Sequence, residues 1–156
     1  MDTYLLLKTL HIIGAILFLG NIIITGWWKI MANRTKKPEI IAFAQRQVTL
    51  TDFVFTAGGS TLLFTAGIAN IIIYDVNIMT TPWILWGLAL FTLSGIIWAV
   101  ILIPIQIKQA LEAKQFTAQT IISQDYWRRE MQWYIYGIIA IVLPLISVVL
   151  MVLKPS

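Results

Sequence analysis

Few residues of this chain could do chemistry inside an apolar environment, and two of them lie close together near the N-terminus. The stretch LLLKTLHIIGAILFLGN carries Lys8 and, one helical turn later, His11, the only histidine in the sequence. An ionisable side chain at membrane depth predicts a functional site, because burying it in lipid is costly. An imidazole there is a candidate ligand for haem iron. The alternative is that His11 hydrogen-bonds a carbonyl or an amide and has a structural role.

The stretch that carries this pair is predicted to be the first of four membrane-spanning helices. The 156-residue chain is 59% hydrophobic and 12% charged, whereas soluble domains carry about 25% charged residues. A helix needs about 20 mostly apolar residues to span a bilayer. Segments of this kind cover residues 4–28, 53–74, 83–107 and 132–153. We therefore expect an all-α, four-transmembrane-helix bundle that forms a single domain over residues 1–156.

The distribution of basic residues predicts how these spans lie in the membrane. Lys and Arg concentrate between spans one and two and between spans three and four, whereas residues 75–82 contain none. Basic loops remain cytoplasmic, so both termini are expected on the outer (periplasmic) side of the bacterial inner membrane. The charges are a topology signal rather than a nucleic-acid-binding patch, so we expect the lipid bilayer and no nucleic acid as a partner. The first apolar run is also longer than a signal-peptide core of about 7–15 residues, and we interpret it as a retained span.

The two basic connections contain helical patterns of their own. PEIIAFAQRQVTLTD, residues 38–52, has apolar residues at helical spacing and a proline suited to a first turn. IKQALEAKQFTAQTIISQ, residues 107–124, has a similar pattern. Spans two and four are therefore expected to begin as helices in the cytoplasm.

One face of span one is predicted to point into the bundle. His11 lies on this face together with five residues at helical spacing: Gly14, Phe18, Asn21, Thr25 and Trp28. Polar residues on a lipid-embedded helix face the bundle interior, so His11, Asn21 and Thr25 are expected inside. The alternative for Asn21 and Thr25 is that they only hydrogen-bond neighbouring helices.

Residues of the other spans predict close packing and an interfacial charge cluster. Gly59, Ala66 and Gly67 form a small-residue stripe in span two, which lets helices approach closely. Pro144 lies in the middle of span four and should free one backbone carbonyl. Asp52 lies at the inner edge of span two near Arg46, and we expect it in an interfacial charge cluster.

The depth of His11 indicates what would fit beside it. Gly67 of span two and Gly87 of span three fall at the same level, and two glycines would leave room for a flat ring. Lys8 lies nearer the outer surface, where a haem propionate would be. We therefore predict b-type haem, with His11 as the iron ligand and Lys8, Gly67 and Gly87 as further cofactor-binding residues.

The second axial ligand of such a haem is left open by the sequence. A second histidine is not available within one chain. Met151 and Met79 lie on the outer side and are candidates. An open sixth position is equally compatible with the sequence, as is a homodimer.

Four motifs in the chain resemble a known family. YLLLKTLHIIGAILFLGNIIITGWWK, AFAQRQVTLTDFVFTAGG, PWILWGLALFTLSGIIW and MVLKP occur in this order. They resemble the bacterial family of predicted integral membrane proteins called domain of unknown function 2269. The resemblance covers nearly the whole chain and implies a membrane protein without an assigned function.

A more distant resemblance is to the HemJ-type protoporphyrinogen oxidases, four-helix inner-membrane proteins that bind b-type haem through a first-span histidine. It rests on LHII in span one, the basic start of span two and the KP ending. It implies His11 as the haem ligand, with Arg46 and Lys154 at matching positions. The family's histidine and lysine at the start of span three are replaced here by PWILWG, and its acid near the start of span four is not evident. The resemblance therefore implies a similar four-helix scaffold, but it does not imply porphyrinogen oxidation.

Three classes of function remain from the sequence. The first is a haem-binding membrane protein of redox or porphyrin chemistry. The second is a non-catalytic scaffold, accessory subunit or small-solute binder without a cofactor, since no acid–base or nucleophile constellation is present. Transport ranks last, because no acid is embedded in a span. CopD-type copper-resistance domains also look similar, but one histidine, no cysteine and scattered methionines disfavour copper.

Overall fold

Four long helices make up the computed structural model of the protein, which describes residues 2–155. They are α1 (Thr3–Arg34), α2 (Pro38–Ile73), α3 (Pro82–Ala113) and α4 (Gln124–Leu153). By length and composition each is able to cross a membrane, which confirms the expectation of an all-α protein with four spans. A short 3₁₀ turn, Ile78–Thr80, lies between α2 and α3. We call the end of the bundle that carries the α1–α2 and α3–α4 connections the basic end.

The helices extend further at the basic end than the hydropathy of the spans predicts. α2 begins at Pro38, as its pattern predicted. In the other connection α3 continues to Ala113 and α4 begins at Gln124, so the predicted helix over residues 107–124 is wrong between these two positions. Thr117 and Thr120 lie there and hydrogen-bond each other, and the hydroxyl of Thr120 accepts from the backbone N–H of Thr117. Such local bonds compete with a helix, which explains the break.

Two of the helices contain a π-helical segment. One covers Asp52–Ala57 in α2, and the other covers Trp98–Leu102 in α3. Pro104 follows the second segment; it lacks a backbone N–H and its ring crowds the preceding turn. A wider turn relieves this crowding. π-Helical turns occur frequently at functional sites, and both segments contribute to the site described below.

The distribution of side chains is the reverse of that in a soluble protein. Large aliphatic residues face outward, with Ile16 65% and Val100 68% exposed. Polar residues such as Gln45, Gln109 and Glu130 are buried instead. Lipid is the solvent in which such a surface is stable, because apolar side chains face it without cost and polar groups must be satisfied internally.

α1 and α2 pack through glycine. A Cβ atom on Gly14 would lie 2.5 Å from the backbone nitrogen of Leu63, and one on Gly59 would lie 2.7 Å from that of Phe18. Only glycine permits this approach of the two backbones. The small-residue stripe predicted for span two therefore makes a close helix contact at Gly59, and the structure shows that its partner is α1.

α3 and α4 pack through hydroxyl groups. Ser94 Oγ donates to the carbonyl oxygen of Ala140 over 2.7 Å. Ala140 is the residue whose carbonyl Pro144 leaves without an intrahelical donor. The predicted free carbonyl is therefore present, and the neighbouring helix satisfies it.

Candidate functional site

α1 presents a row of polar residues to the bundle interior, spaced one turn apart: Asn21, Thr25, Lys29 and Asn33. Asn21 and Thr25 are buried, as predicted. The row continues through Lys29, which is 1% exposed, and not through Trp28, which is 62% exposed. The assignment of Trp28 to the inner face is therefore wrong. An indole is stable at a membrane interface, whereas Lys29 finds its partners inside.

Lys29 forms a buried ion pair with a residue at the start of α4. Its Nζ lies 2.9 Å from Glu130 Oε2 and donates to Gln109 Oε1 over 3.0 Å. Gln109 Nε2 in turn donates to Glu130 Oε2 over 2.6 Å. Nζ also lies 4.1 Å from the ring centre of Trp133. Lys29 was predicted to lie in the connection after span one, and the structure instead places it inside α1 with its side chain buried. A buried pair of this kind is stable when further hydrogen bonds satisfy both groups.

Asn33 extends this network to a tyrosine. Its Nδ2 donates to Glu130 Oε1 over 2.6 Å and to the hydroxyl oxygen of Tyr134 over 2.8 Å. Both oxygens of Glu130 are therefore engaged, by donors from two other helices. We call Lys29, Asn33, Gln109, Glu130 and Tyr134 the ion-pair network.

Asp52 forms a second polar cluster further into the bundle. Its Oδ1 accepts hydrogen bonds from Asn21 Nδ2 and Thr56 Oγ1, each over 2.9 Å, and its Oδ2 accepts one from Gln106 Nε2 over 3.0 Å. The residue is 6% exposed. The predicted interfacial cluster with Arg46 is not formed, because the exposed Arg46 lies over the ring of Phe43 instead. Neutral donors from α1, α2 and α3 hold Asp52 inside the bundle.

A cavity of about 400 Å³ adjoins both clusters. α1 and α4 contact each other sparsely, and the cavity lies between them. Its mouth is formed by exposed apolar residues, among them Ile23, Trp27 and Ile138. Asp52 and Thr56, from the π-helical segment of α2, form part of its wall. Small-molecule pockets range from about 300 to 1,000 Å³, so the cavity has the size of a binding site.

Three cavity-lining residues carry a buried polar atom that has no hydrogen-bond partner among residues 2–155. They are the indole Nε1 of Trp98, the indole Nε1 of Trp133 and the amide Oε1 of Gln106. Buried polar groups are normally paired. Although these residues line the cavity, the three atoms themselves are enclosed by neighbouring groups and are unpaired in this conformation.

The predicted cofactor ligand lies away from this cavity, against α2. His11 Nδ1 lies 2.8 Å from the carbonyl oxygen of Leu63. A carbonyl only accepts, so Nδ1 donates and Nε2 of the neutral ring is left as an acceptor. A Cβ atom on Gly67 would lie 2.9 Å from His11 Nδ1. The structure thus brings His11 and Gly67 together, and the imidazole itself fills the space beside the glycine.

The other predicted cofactor-binding residues lie in separate surroundings. A Cβ atom on Gly87 would lie 2.7 Å from the methyl carbon of Met151, so this methionine fills the space beside Gly87. Lys8 is exposed, with its Nζ 5.8 Å from the ring centre of Tyr4. Met79 is 79% exposed. Haem binding by these residues stays a prediction.

Residues 5–155 match a family model described as a predicted integral membrane protein, DUF2269. The chain belongs to this family. Membership of DUF2269 confirms the resemblance seen in the four sequence motifs, and together with the four helices it makes the protein a multi-pass integral membrane protein. No curated protein and no solved structure matches the chain.

Sequence reasoning missed most of the polar residues around the cavity. Hydropathy puts Lys29 and Glu130 outside the spans, and the glutamines of α3 have no distinctive pattern. A signal was present in α1, where Asn21, Thr25 and Lys29 follow an unbroken spacing of one turn. Within residues 2–155 no cluster of three or more His, Cys, Asp or Glu side chains is placed to hold a metal ion.

Proposed function

We propose that this DUF2269 protein is a non-catalytic membrane protein that binds a hydrophobic molecule from the bilayer in the cavity between α1 and α4. The observation that carries the proposal is the cavity of about 400 Å³ with a mouth of exposed apolar residues. A molecule dissolved in the bilayer reaches such a mouth without crossing water. Binding between membrane helices therefore suits a lipid-soluble ligand.

The groups at the cavity favour binding over catalysis. Its carboxylate, Asp52, accepts three hydrogen bonds, so donors from the chain occupy three of its about four acceptor positions. A general base must be within hydrogen-bond reach of the proton that it abstracts. The only histidine of the chain, His11, lies outside the set of residues that line the cavity.

Photolabelling of the purified protein in lipid vesicles tests this proposal. The probe is a long-chain alkyl diazirine, and the labelled residues are mapped by mass spectrometry. Gly26 and Gly137 line the cavity, and a Cβ atom on either meets no other atom within 4 Å. Gly137→Leu therefore adds an isobutyl group at the cavity from a position whose Cβ meets open space, and it should reduce labelling of the cavity residues severalfold. Gly26→Leu should do the same from α1.

Gly95→Leu is the matched control. A Cβ atom on Gly95 also meets no other atom within 4 Å, but Gly95 is not among the cavity-lining residues. Labelling should be unchanged in this variant. Equal labelling of the wild-type protein, Gly137→Leu and Gly26→Leu at the cavity residues would refute binding there.

We propose haem binding through His11 as a second function, on the observation that Nε2 is left as an acceptor. Histidine ligands of metals usually donate their other ring N–H to a carbonyl or carboxylate, and Nδ1 donates to Leu63 here. A bound haem would supply redox or porphyrin chemistry. The spaces beside Gly67 and Gly87 are occupied by His11 and Met151, so these glycines do not supply room for the ring in this conformation.

An absorption spectrum of the protein purified from haem-replete cells tests this second function. Haem ligation predicts a Soret band that is lost in His11→Ala, while the thermal stability of the variant shows whether it is folded. A colourless wild-type preparation would refute it. A homodimer that supplies the second axial ligand would show a band whose intensity follows the fraction of dimer.

We further propose that the protein lies in the bacterial inner membrane with both termini on the periplasmic side. The support is the concentration of Lys and Arg at the basic end of the bundle, in the α1–α2 and α3–α4 connections and the helix ends beside them. The chain has no cysteine, so single cysteines can be introduced without a background. An impermeant maleimide added to intact spheroplasts should label Asn77→Cys, whereas Lys36→Cys should be labelled only after permeabilisation. The opposite pattern would reverse the orientation.

A further inference from the structure

The buried charges around the cavity between α1 and α4 do not balance. Within residues 2–155 the buried charged side chains are Lys29, Asp52 and Glu130, which are one ammonium and two carboxylates. We propose that the molecule bound in the cavity is an amphiphilic organic cation, an alkylammonium, with its charged head beside Asp52. This inference rests on the proposed function, the binding of a hydrophobic molecule in this cavity, and adds the charge of that molecule and the residue that selects it.

The one buried ammonium is already paired with the other carboxylate. Lys29 Nζ lies 2.9 Å from Glu130 Oε2. Asp52, which lines the cavity, instead accepts hydrogen bonds from uncharged side chains of Asn21, Thr56 and Gln106. Such donors stabilise a carboxylate but leave its charge uncancelled. A cation in the cavity would supply the missing charge, and Coulomb attraction in a medium of low dielectric constant acts without direct contact between the two groups.

Aromatic residues in the cavity wall suit a cationic head group. The five that line the cavity are Phe18, Trp27, Trp98, Trp133 and Tyr134. The face of an aromatic ring attracts a cation, and sets of such rings recognise quaternary ammonium groups. Trp133 already makes a contact of this kind, because Lys29 Nζ lies 4.1 Å from its ring centre. The wall therefore offers a cation attraction that an uncharged or anionic head would not gain.

The mouth of the cavity favours an organic cation over a metal ion. Ile23, Trp27 and Ile138 are 48%, 57% and 62% exposed and line the cavity. A hydrated metal ion would have to leave its water among these apolar side chains, which is costly. An alkyl chain is stable against them and continues into the surrounding lipid. The ligand therefore combines a positive head with an apolar tail.

Competition photolabelling in vesicles of zwitterionic lipid tests the charge of the ligand. The probe is the long-chain alkyl diazirine of the proposed function. The competitors are an alkyltrimethylammonium, its uncharged analogue with carbon in place of nitrogen, and an alkyl sulfonate of equal length, each compared at equal amounts per lipid. The ammonium should compete about tenfold better than the uncharged analogue, which corresponds to about 1.4 kcal/mol. The sulfonate should compete less well than either.

Asp52→Asn assigns the preference to the carboxylate. This variant keeps the size of the side chain and removes its charge, so the ammonium should lose most of its advantage while the uncharged probe still labels the cavity. Asp125→Asn is the control. It removes a carboxylate that is 66% exposed and lies outside the cavity lining, and it should leave the preference unchanged. Comparing variants in the same vesicles cancels any difference in how the competitors partition into lipid.

The possible results separate this inference from the proposed function. Equal competition by the ammonium and its uncharged analogue in the wild-type protein would overturn the inference, and this result does not depend on whether Asp52→Asn folds. An ammonium advantage that persists in a folded Asp52→Asn would overturn the role of Asp52. In both cases labelling of the cavity by the uncharged probe would leave hydrophobic binding in place. Absence of cavity labelling in the wild-type protein would overturn the proposed function itself.

Discussion

Replacing Glu130 with glutamine should strongly destabilise the protein, because it leaves Lys29 buried without its counter-ion. Lys29 is 1% exposed and Glu130 is 2% exposed, and their charged atoms lie 2.9 Å apart. Glutamine has nearly the shape of glutamate, so the substitution changes charge and hydrogen bonding but hardly changes volume. The effect therefore measures the electrostatic role of the pair.

The expected loss follows from the three bonds to the carboxylate. Glu130 accepts hydrogen bonds from Lys29 and Gln109 on one oxygen and from Asn33 on the other. A glutamine amide has only one acceptor oxygen, so its NH₂ group would face at least one of these donors, which it cannot bind. Breaking a buried pair by removing one partner costs about 3–5 kcal/mol, so we expect the free energy of unfolding of Glu130→Gln to fall by about 3 kcal/mol.

Equilibrium unfolding in mixed micelles of increasing denaturing-detergent fraction measures this loss. The double variant Lys29→Met with Glu130→Gln removes both charges and should recover much of the stability, since uncharged replacements of buried pairs are often neutral. Asp125→Asn is the matched control, because its ion pair with Arg128 has side chains that are 66% and 73% exposed. That variant should lose about 0.2–1 kcal/mol at most.

Two results would refute the reasoning. If Glu130→Gln were folded and lost no more stability than Asp125→Asn, the charge of Glu130 would not be what compensates Lys29. If the double variant lost as much as the sum of its two single variants, the two side chains would act independently. Either result would also remove the basis for treating the ion-pair network as one unit.

Two further predictions concern helix packing. Gly14→Ala should destabilise the protein by about 1–3 kcal/mol, because its methyl group would lie 2.5 Å from the backbone of α2 and 2.8 Å from the carbonyl oxygen of Gly59. Thermal unfolding measures this loss. Gly20→Ala is the control and should show little change, because a Cβ atom there meets open space. Ser94→Ala should cost about 1–3 kcal/mol, because it leaves the carbonyl oxygen of Ala140 without its donor; unchanged stability in micelle unfolding would show that this carbonyl finds another donor.

The four helices could be predicted from the sequence because each depends on local pattern. Long apolar runs mark the spans, and the small-residue stripe of span two indicates a close helix contact but does not identify α1 as the partner. The inward direction of Asn21 and Thr25 followed from helical spacing alone. His11 was likewise expected inside, and its Nδ1 does contact the backbone of α2 at Leu63.

The buried charges could not be predicted in the same way. Hydropathy marks the part of a helix that matches the hydrocarbon thickness, so Lys29, Gln109 and Glu130 fall beyond the predicted ends. A charged residue at the end of a span is normally solvated, and the residues next to it in the sequence do not distinguish it from a buried one. The partners of Lys29, Gln109 and Glu130, lie 80 and 101 positions away along the chain, and only the tertiary structure shows them. The surroundings of Asp52 escape prediction for the same reason, because its donors come from three helices.

The two kinds of contact in the bundle explain why a cavity persists between α1 and α4. Glycine and serine contacts join α1 to α2 and α3 to α4, and they bring backbones close together. At the basic end α1 is instead joined to α3 and α4 by hydrogen bonds, from Lys29 to Gln109 and from Asn33 to Tyr134. α2 packs against α3 and α4 through an apolar cluster that contains Val48, Leu102 and Trp133. Hydrogen bonds have fixed lengths and directions, so they set a distance between the pairs that apolar side chains alone would close. Tyr134 belongs to this network and also lines the cavity. Loss of the network in Glu130→Gln should therefore alter ligand labelling as well as stability.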